Sequence, residues 1–328
     1  MARQLLFSSA DAAAVTFAIS CQWEMIASLR LMAGGAGHIP HRRWAASTGA
    51  LLDNRFDLLF DLVGSASRRD YIPDFLTPMP STLEPSVRAE LDEIAHTPAE
   101  VVRAELEHLR HRWTPRLAAL HERPERVSDV ADQLKLYWEI ALAPHWPRIY
   151  RVLHGEVGRR ARNVATVGVG RLLNDIHERV RWDGAQLEIV GTSCFGAEAL
   201  EGTGIRLIPS VFVWPSVLVV ADRRPAQLCF PARGAGALWD GRREPTQALS
   251  AVLGQAKARL LTVLDEPMSS PELAVELQLR PPSVSEHLAT LRNAGLVTSY
   301  RVGRRLVSLR TELGTGLIDA NGVGAAST

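Results

Sequence analysis

The chain has 328 residues, 46% of them hydrophobic, and its 37 basic and 36 acidic side chains leave a formal charge of +1. That length predicts two or three domains, and the balanced charge excludes a chain that is basic throughout and binds polyanions along its whole surface. No apolar run approaches 18 residues and no charged leader precedes an apolar core, so neither a membrane span nor a signal peptide is expected and the chain reads as cytoplasmic.

Residues 1–178 read as a mostly helical region. Gln4–Phe7 reads as a short leading strand and Ser20–Met32 as a helix, with Trp23, Ile26, Ala27 and Leu31 at turn spacing. His38-Ile39-Pro40-His41-Arg42-Arg43-Trp44 is either a ligand or acid/base pocket or an interhelix loop whose Trp44 packs down. Helices are expected near 43–52 and 54–62. Tyr71 to Pro80 is an aromatic, proline-rich loop that either lines a pocket for an apolar effector or is pinned by Tyr71 and Phe75. Further helices are expected over 84–95 and 98–113, with Thr97 as cap and Glu100 completing its box. Then come 127–143, 146–158 and 160–178. The aromatic run Leu136 to Trp146 reads as core. His96, His108 and His111 read as solvated.

From Val180 the texture changes. Asp183-Gly184 beside an alternating run signals a hairpin. Segments 204–209, 211–220 and 226–231 are rich in β-branched residues. Residues 179–245 therefore read as a small antiparallel β region, with Trp214-Pro215 bending its middle strand or lying at an edge. Arg233-Gly-Ala-Gly-Ala237 lacks the lysine and strand-loop-helix setting of a phosphate loop. Cys21, Cys194 and Cys229 form no CxxC pair and read as buried free thiols.

Residues 246–313 hold three helices and a hairpin, a winged helix-turn-helix. The first helix aligns Leu260, Leu261 and Leu264 and stops at Asp265-Glu266-Pro267. Ser269 opens the second with Glu272 as its box partner, and Leu273 and Leu277 share a face. Ser283 opens the third, paired with Glu286, and Val284, Leu288 and Leu291 point inward. Gly295 suits the left-handed position after it. Strands 296–301 and 305–309 form the wing. Residues 314–328 read as a flexible tail with a helix remnant. The whole is an α+β chain: a large, mostly helical N-terminal domain, a small β region and the winged helix.

Lys135 and Lys257 are the only lysines, so the chain's other basic residues are arginine, and an arginine cluster carries weight only where it meets a motif. One does. Between Arg280 and Arg310, Glu286 is the only acid, against Arg280, Arg292, Arg301, Arg304, Arg305 and Arg310. That local excess is a DNA-binding footprint. Ser283 and Ser285 are expected near the groove, Arg280 on phosphate, Arg304 and Arg305 at the wing, with Arg292 and Arg301 adding charge. His287 reads as a packed or phosphate-adjacent helix residue.

Pro282-Ser-Val-Ser-Glu-His-Leu-Ala-Thr-Leu-Arg-Asn-Ala-Gly-Leu-Val297, followed by Gly303-Arg-Arg305, resembles the winged-helix domain of the ArsR/SmtB family of bacterial repressors. The resemblance covers about a fifth of the chain and implies a dimer on a pseudo-palindromic double-stranded operator. Metal-sensing members carry a Cys-x-Cys motif on the preceding helix. Pro271 to Leu277 has no cysteine, so no metal or other cofactor is expected. The Trp23-Glu24, Tyr71 to Pro78, Ala143 to Pro147 and Pro209 to Pro215 segments resemble a long N-terminal domain of unassigned role found ahead of such winged helices in actinobacterial regulators.

The reading is thus a repressor whose N-terminal region senses an apolar or aromatic effector or dimerises. Eight tryptophans, all before residue 240, motivate the effector. No Gly-x-Ser-x-Gly, HExxH or nucleotide loop occurs, so the chain is read as no enzyme. Alternatives are an enzyme domain using His38, His41 or His145, or a winged helix used for protein contacts.

Overall fold

The computed structural model describes residues 2–34, 39–64, 71–191, 196–222, 224–239, 245–264, 268–302 and 305–322. The chain divides into two compact units, Met1–Trp239 and Asp240–Thr328.

The N-terminal unit opens with β1 (Ala2–Leu6), α1 (Ser9–Ala13), β2 (Thr16–Phe17) and α2 (Cys21–Ala33). Helices α3 (Arg42–Gly49), α4 (Asp57–Val63), α5 (Val87–Ala95), α6 (Ala99–Glu107), α7 (Pro115–Glu122), α8 (Val127–Tyr137), α9 (Trp146–Val167) and α10 (Val169–Asn174) follow. Strands β3 (Val180–Trp182), β4 (Gln186–Val190), β5 (Gly196–Ala199), β6 (Ile205–Ser210), β7 (Leu218–Val220) and β8 (Ala226–Pro231) complete it.

α2 is the centre of the helical layer. Ser20 caps it by accepting from the Trp23 amide. Every residue from Cys21 to Leu29 is buried, the mark of a helix surrounded on all sides. Its polar members are tied into the core: Trp23 Nε1 donates to Gln227 Oε1 at 2.9 Å, and Gln22 Nε2 to the Leu76 carbonyl at 2.9 Å.

The β segment is neither wholly antiparallel nor a unit of its own. It forms two four-stranded sheets, ordered β3-β4-β1-β5 and β2-β6-β8-β7. β1 and β2, from the first 17 residues, sit inside these orders. β1 runs parallel to β5, β2 to β6 and β6 to β8, whereas β3–β4, β1–β4 and β7–β8 are antiparallel. Parallel partners lie far apart in sequence, so local patterning does not reveal them. The Asp183-Gly184 hairpin does form: Gly184 takes φ +107°, and Asp183 accepts from the Ala185 and Gln186 amides.

Other differences are local. Pro98, not Thr97, stands at the N-cap of α6, and the Thr97 hydroxyl donates back to the Glu93 carbonyl. The two helices expected over 146–178 are one 22-residue helix, broken at Gly168 (φ +84°), and the short α10. α1 and α7 were not anticipated. α1 is held by a box in which Asp11 accepts from the Ser8 amide and hydroxyl. The Tyr71–Pro80 loop is pinned rather than open: Phe75 and Leu76 are buried, and the Phe75 amide donates to Glu105 at 2.7 Å.

The C-terminal unit contains α11 (Gln247–Leu253), α12 (Gln255–Val263), β9 (Met268–Ser269), α13 (Ser270–Leu277), α14 (Pro281–Asn293), β10 (Val297–Val302), β11 (Arg305–Arg310) and α15 (Glu312–Gly322). Leu260, Leu261, Leu264, Leu273, Leu277, Val284, Leu288 and Leu291 share one core, as their spacing requires. The expected stop at 265–267 lies outside the described residues. Residues 312–322 are helical, so the tail expected from 314 begins as α15; there Thr311 Oγ1 donates to the Gly295 carbonyl and accepts from the Gly314 amide. No helix among the described residues is long and apolar enough to cross a membrane.

Candidate nucleic-acid interface

α13 opens on Ser269, whose amide and hydroxyl both donate to Glu272, at 2.8 and 2.7 Å. It closes on Gln278, a non-glycine residue in the left-handed region (φ +54°, ψ +40°), and the Leu279 amide bonds back to Ala274 at 3.0 Å. That turn redirects the chain into α14.

α14 begins two residues before Ser283. Arg280 is its N-cap, and Pro281 and Pro282 fill its first two positions, where a missing N–H costs nothing and φ is already helical. The box expected between Ser283 and Glu286 is therefore replaced by a proline start. This changes the anion chemistry of the helix end. Neither proline offers an amide, and the Val284 amide bonds to the Arg280 carbonyl at 3.2 Å. Only the Ser283 amide is left in the first turn.

Val284, Leu288 and Leu291 define the inward direction of α14. At 100° per residue, Pro282, Glu286, Ala289 and Asn293 point the opposite way. Ser285 and Arg292 lie on one flank of that face, and Ser283 and His287 on the other. The two serines are thus separated, about 160° apart around the axis. Ser285 and Arg292 are exposed, Ser283 and His287 half-buried. The Ser285 hydroxyl donates to the Pro281 carbonyl at 3.2 Å.

The helix ends as expected. Gly295 adopts φ +69°, its amide donates to Arg292, and the Leu296 amide donates to Leu291, which seals the last turn with two buried leucines. The chain then enters the β10–β11 hairpin, whose second strand β11 is central in the sheet and also pairs with β9. Arg301 is exposed on β10, opposite Leu306. Arg305 pairs with Val302 in the ladder, and Arg304 lies outside the described residues. Arg280, Arg292 and Arg301 are thus exposed, the first two on a helix whose single acid is Glu286.

Two of the histidines weighed for chemistry in the N-terminal unit, His41 and His145, contact Trp239. His41 Nδ1 accepts from Trp239 Nε1 at 2.6 Å, and Trp239 stacks on Trp44 at 5.7 Å. His145 meets Trp239 edge-on at 5.1 Å, and burial, then the Arg148 charge, lowers its pKa. His38 lies outside the described residues. Among the described residues, no three of His, Cys, Asp and Glu gather as a metal-holding group.

Residues 260–299 match the family model described as bacterial regulatory protein, arsR family. The match runs from the second half of α12 to the first half of β10, so the helix-turn-helix reading rests on the helices and the likeness together, and the likeness suggests DNA-binding transcriptional regulation. No curated protein matches the chain.

Proposed function

We propose that the C-terminal unit is a winged helix-turn-helix that binds double-stranded operator DNA, with α14 in the major groove and the β10–β11 hairpin as its wing. The chain then acts as a homodimeric transcriptional repressor, and the N-terminal unit senses an effector or dimerises. The observation that carries this reading is the outward face of α14, free of the core, with Arg280 at its start and Arg292 on its flank, both exposed.

The major groove is about 12 Å wide and accepts one helix. With α14 seated there, the Ser285–Arg292 flank meets one groove wall and the Ser283–His287 flank the other. Glu286, central on the face, is repelled by phosphate and suits a base edge that offers an amino donor, which in the major groove means cytosine or adenine. Arg280 and Arg301 supply backbone attraction. A dimer would place two such helices on half-sites one helical turn or a multiple apart.

The test is fluorescence anisotropy of the full chain on its own upstream intergenic DNA, against scrambled DNA, at several salt concentrations. Selective binding that weakens steeply with salt is expected. Arg280→Ala should weaken binding to all sequences and reduce the salt slope by about one unit. Absence of binding at low salt would overturn the proposal.

A further inference from the structure

α9 carries Arg148, Arg151, Arg159, Arg160 and Arg162, and Glu156 is its only acid. Both oxygens of that carboxylate are engaged. Oε1 accepts from Arg160 Nε at 2.8 Å. Oε2 is paired with Arg159 and accepts from the Arg233 backbone amide at 3.3 Å. Glu156 and Arg160 are 2% and 1% exposed. The Arg160 guanidinium lies 5.5 Å from the centroid of the Phe230 ring, and its Nη1 has no hydrogen-bond partner among the described residues.

Two guanidinium groups, those of Arg159 and Arg160, therefore gather on one carboxylate, joined by the backbone amide of Arg233. Burial first, then the Arg233 charge, pushes the Arg160 pKa down to about 10, with Asp175 opposing. A buried donor without an acceptor is costly. A guanidinium fork matches the oxygens of phosphate or carboxylate.

We propose that Arg160 and Arg233 form an oxyanion site in the N-terminal unit, which takes the phosphate or carboxylate group of a small-molecule effector. Glu156 holds the Nε edge of Arg160 and so orients the fork. Nη1 supplies the unused donor, and the exposed Arg233, whose charge acts on Arg160, supplies a second cation. The site rests on the effector-sensing reading for its biological meaning, and it gives the effector an anionic group.

The experiment is thermal melting of the full chain in inorganic phosphate against chloride at matched ionic strength, without DNA. A saturable rise of the melting midpoint in phosphate is expected, because a ligand of the folded state stabilises it by mass action. Arg233→Gln, an exposed change, should lose most of that rise. Arg280→Ala should keep it, which separates this site from the basic face of α14. Arg160→Lys, which keeps the charge but not the fork, should weaken phosphate binding several-fold. Equal midpoints in phosphate and chloride, or a full rise retained in Arg233→Gln, would overturn the site. Acetate in place of phosphate tells which oxyanion it prefers. A chain that binds operator but ignores phosphate fails this inference alone; one that responds to phosphate but binds no DNA fails the regulator reading alone.

Discussion

The core of the C-terminal unit is built from aliphatic side chains, chiefly leucines, while the core of the N-terminal unit encloses Glu24, Glu90, Glu156 and Arg160. Their hydrogen bonds differ in reach. In the C-terminal unit Ser269 meets Glu272, Ser299 meets Ser308, and Thr311 meets Gly295 across 16 positions. In the N-terminal unit the Val211 amide donates to Glu24 Oε1 across 187 positions, and Trp23 to Gln227 across 204. A leucine core needs only shape and apolar area, which local periodicity supplies. A buried carboxyl needs specific donors, and distant segments provide those of Glu24 and Glu90, whereas Glu156 meets Arg159 and Arg160 on its own helix.

The largest effect should come from the leucine core. Leu288→Ala removes a buried side chain between α14 and its neighbours and should cost about 2–5 kcal/mol in denaturant unfolding, with loss of DNA binding. A cost under about 1 kcal/mol would mean that α14 is not anchored through this face.

The polar core should answer to pH. Burial, the dominant cause, raises the Glu24 pKa to about 8, partly offset by the Val211 and Ser210 hydrogen bonds. Glu90 is raised to about 7 for the same reason. For Glu24, the folded state therefore holds a proton that the unfolded chain has released between about pH 4.5 and pH 8. Stability is full below that window and falls as pH rises through it, by up to about 1.4 kcal/mol per pH unit for one group. Glu24→Gln mimics the neutral carboxyl and should flatten the slope. Urea unfolding of both proteins at several pH values checks this, and a difference between them that stays constant with pH would show Glu24 to be ionised.

The smallest effect tests the turn of the helix-turn-helix. Gln278 holds φ +54°, which disfavours an L side chain. Gln278→Gly should relieve this and raise stability by about 0.5–1 kcal/mol, with operator affinity retained. Destabilisation would show that the Gln278 side chain contributes more than its backbone costs.

The C-terminal unit was largely legible because its signals are local. The spacing of Leu260, Leu273, Leu288 and Leu291, the Ser269–Glu272 box and Gly295 after α14 all act within a few residues. Its misreading was local too. Ser283 looked like a helix start, but Pro281 and Pro282 are compatible with a first turn, and the helix begins with them. In the N-terminal unit, the Asp183-Gly184 hairpin and the α2 pattern were legible, but the sheet orders and the partners of Glu24 and Glu156 were not.

The sequence by itself determined which faces of α12, α13 and α14 are apolar, where an arginine excess surrounds one acid, and which segments carry helix or strand patterning. Tertiary structure decided that the first strands enter sheets formed by residues 180–231, that His41 and His145 pack around Trp239, and that Arg160 is buried on Glu156. The physical reason is range: side-chain periodicity is set by backbone geometry over a few residues, whereas parallel strand pairing and the satisfaction of buried charge depend on which distant segments the fold brings together.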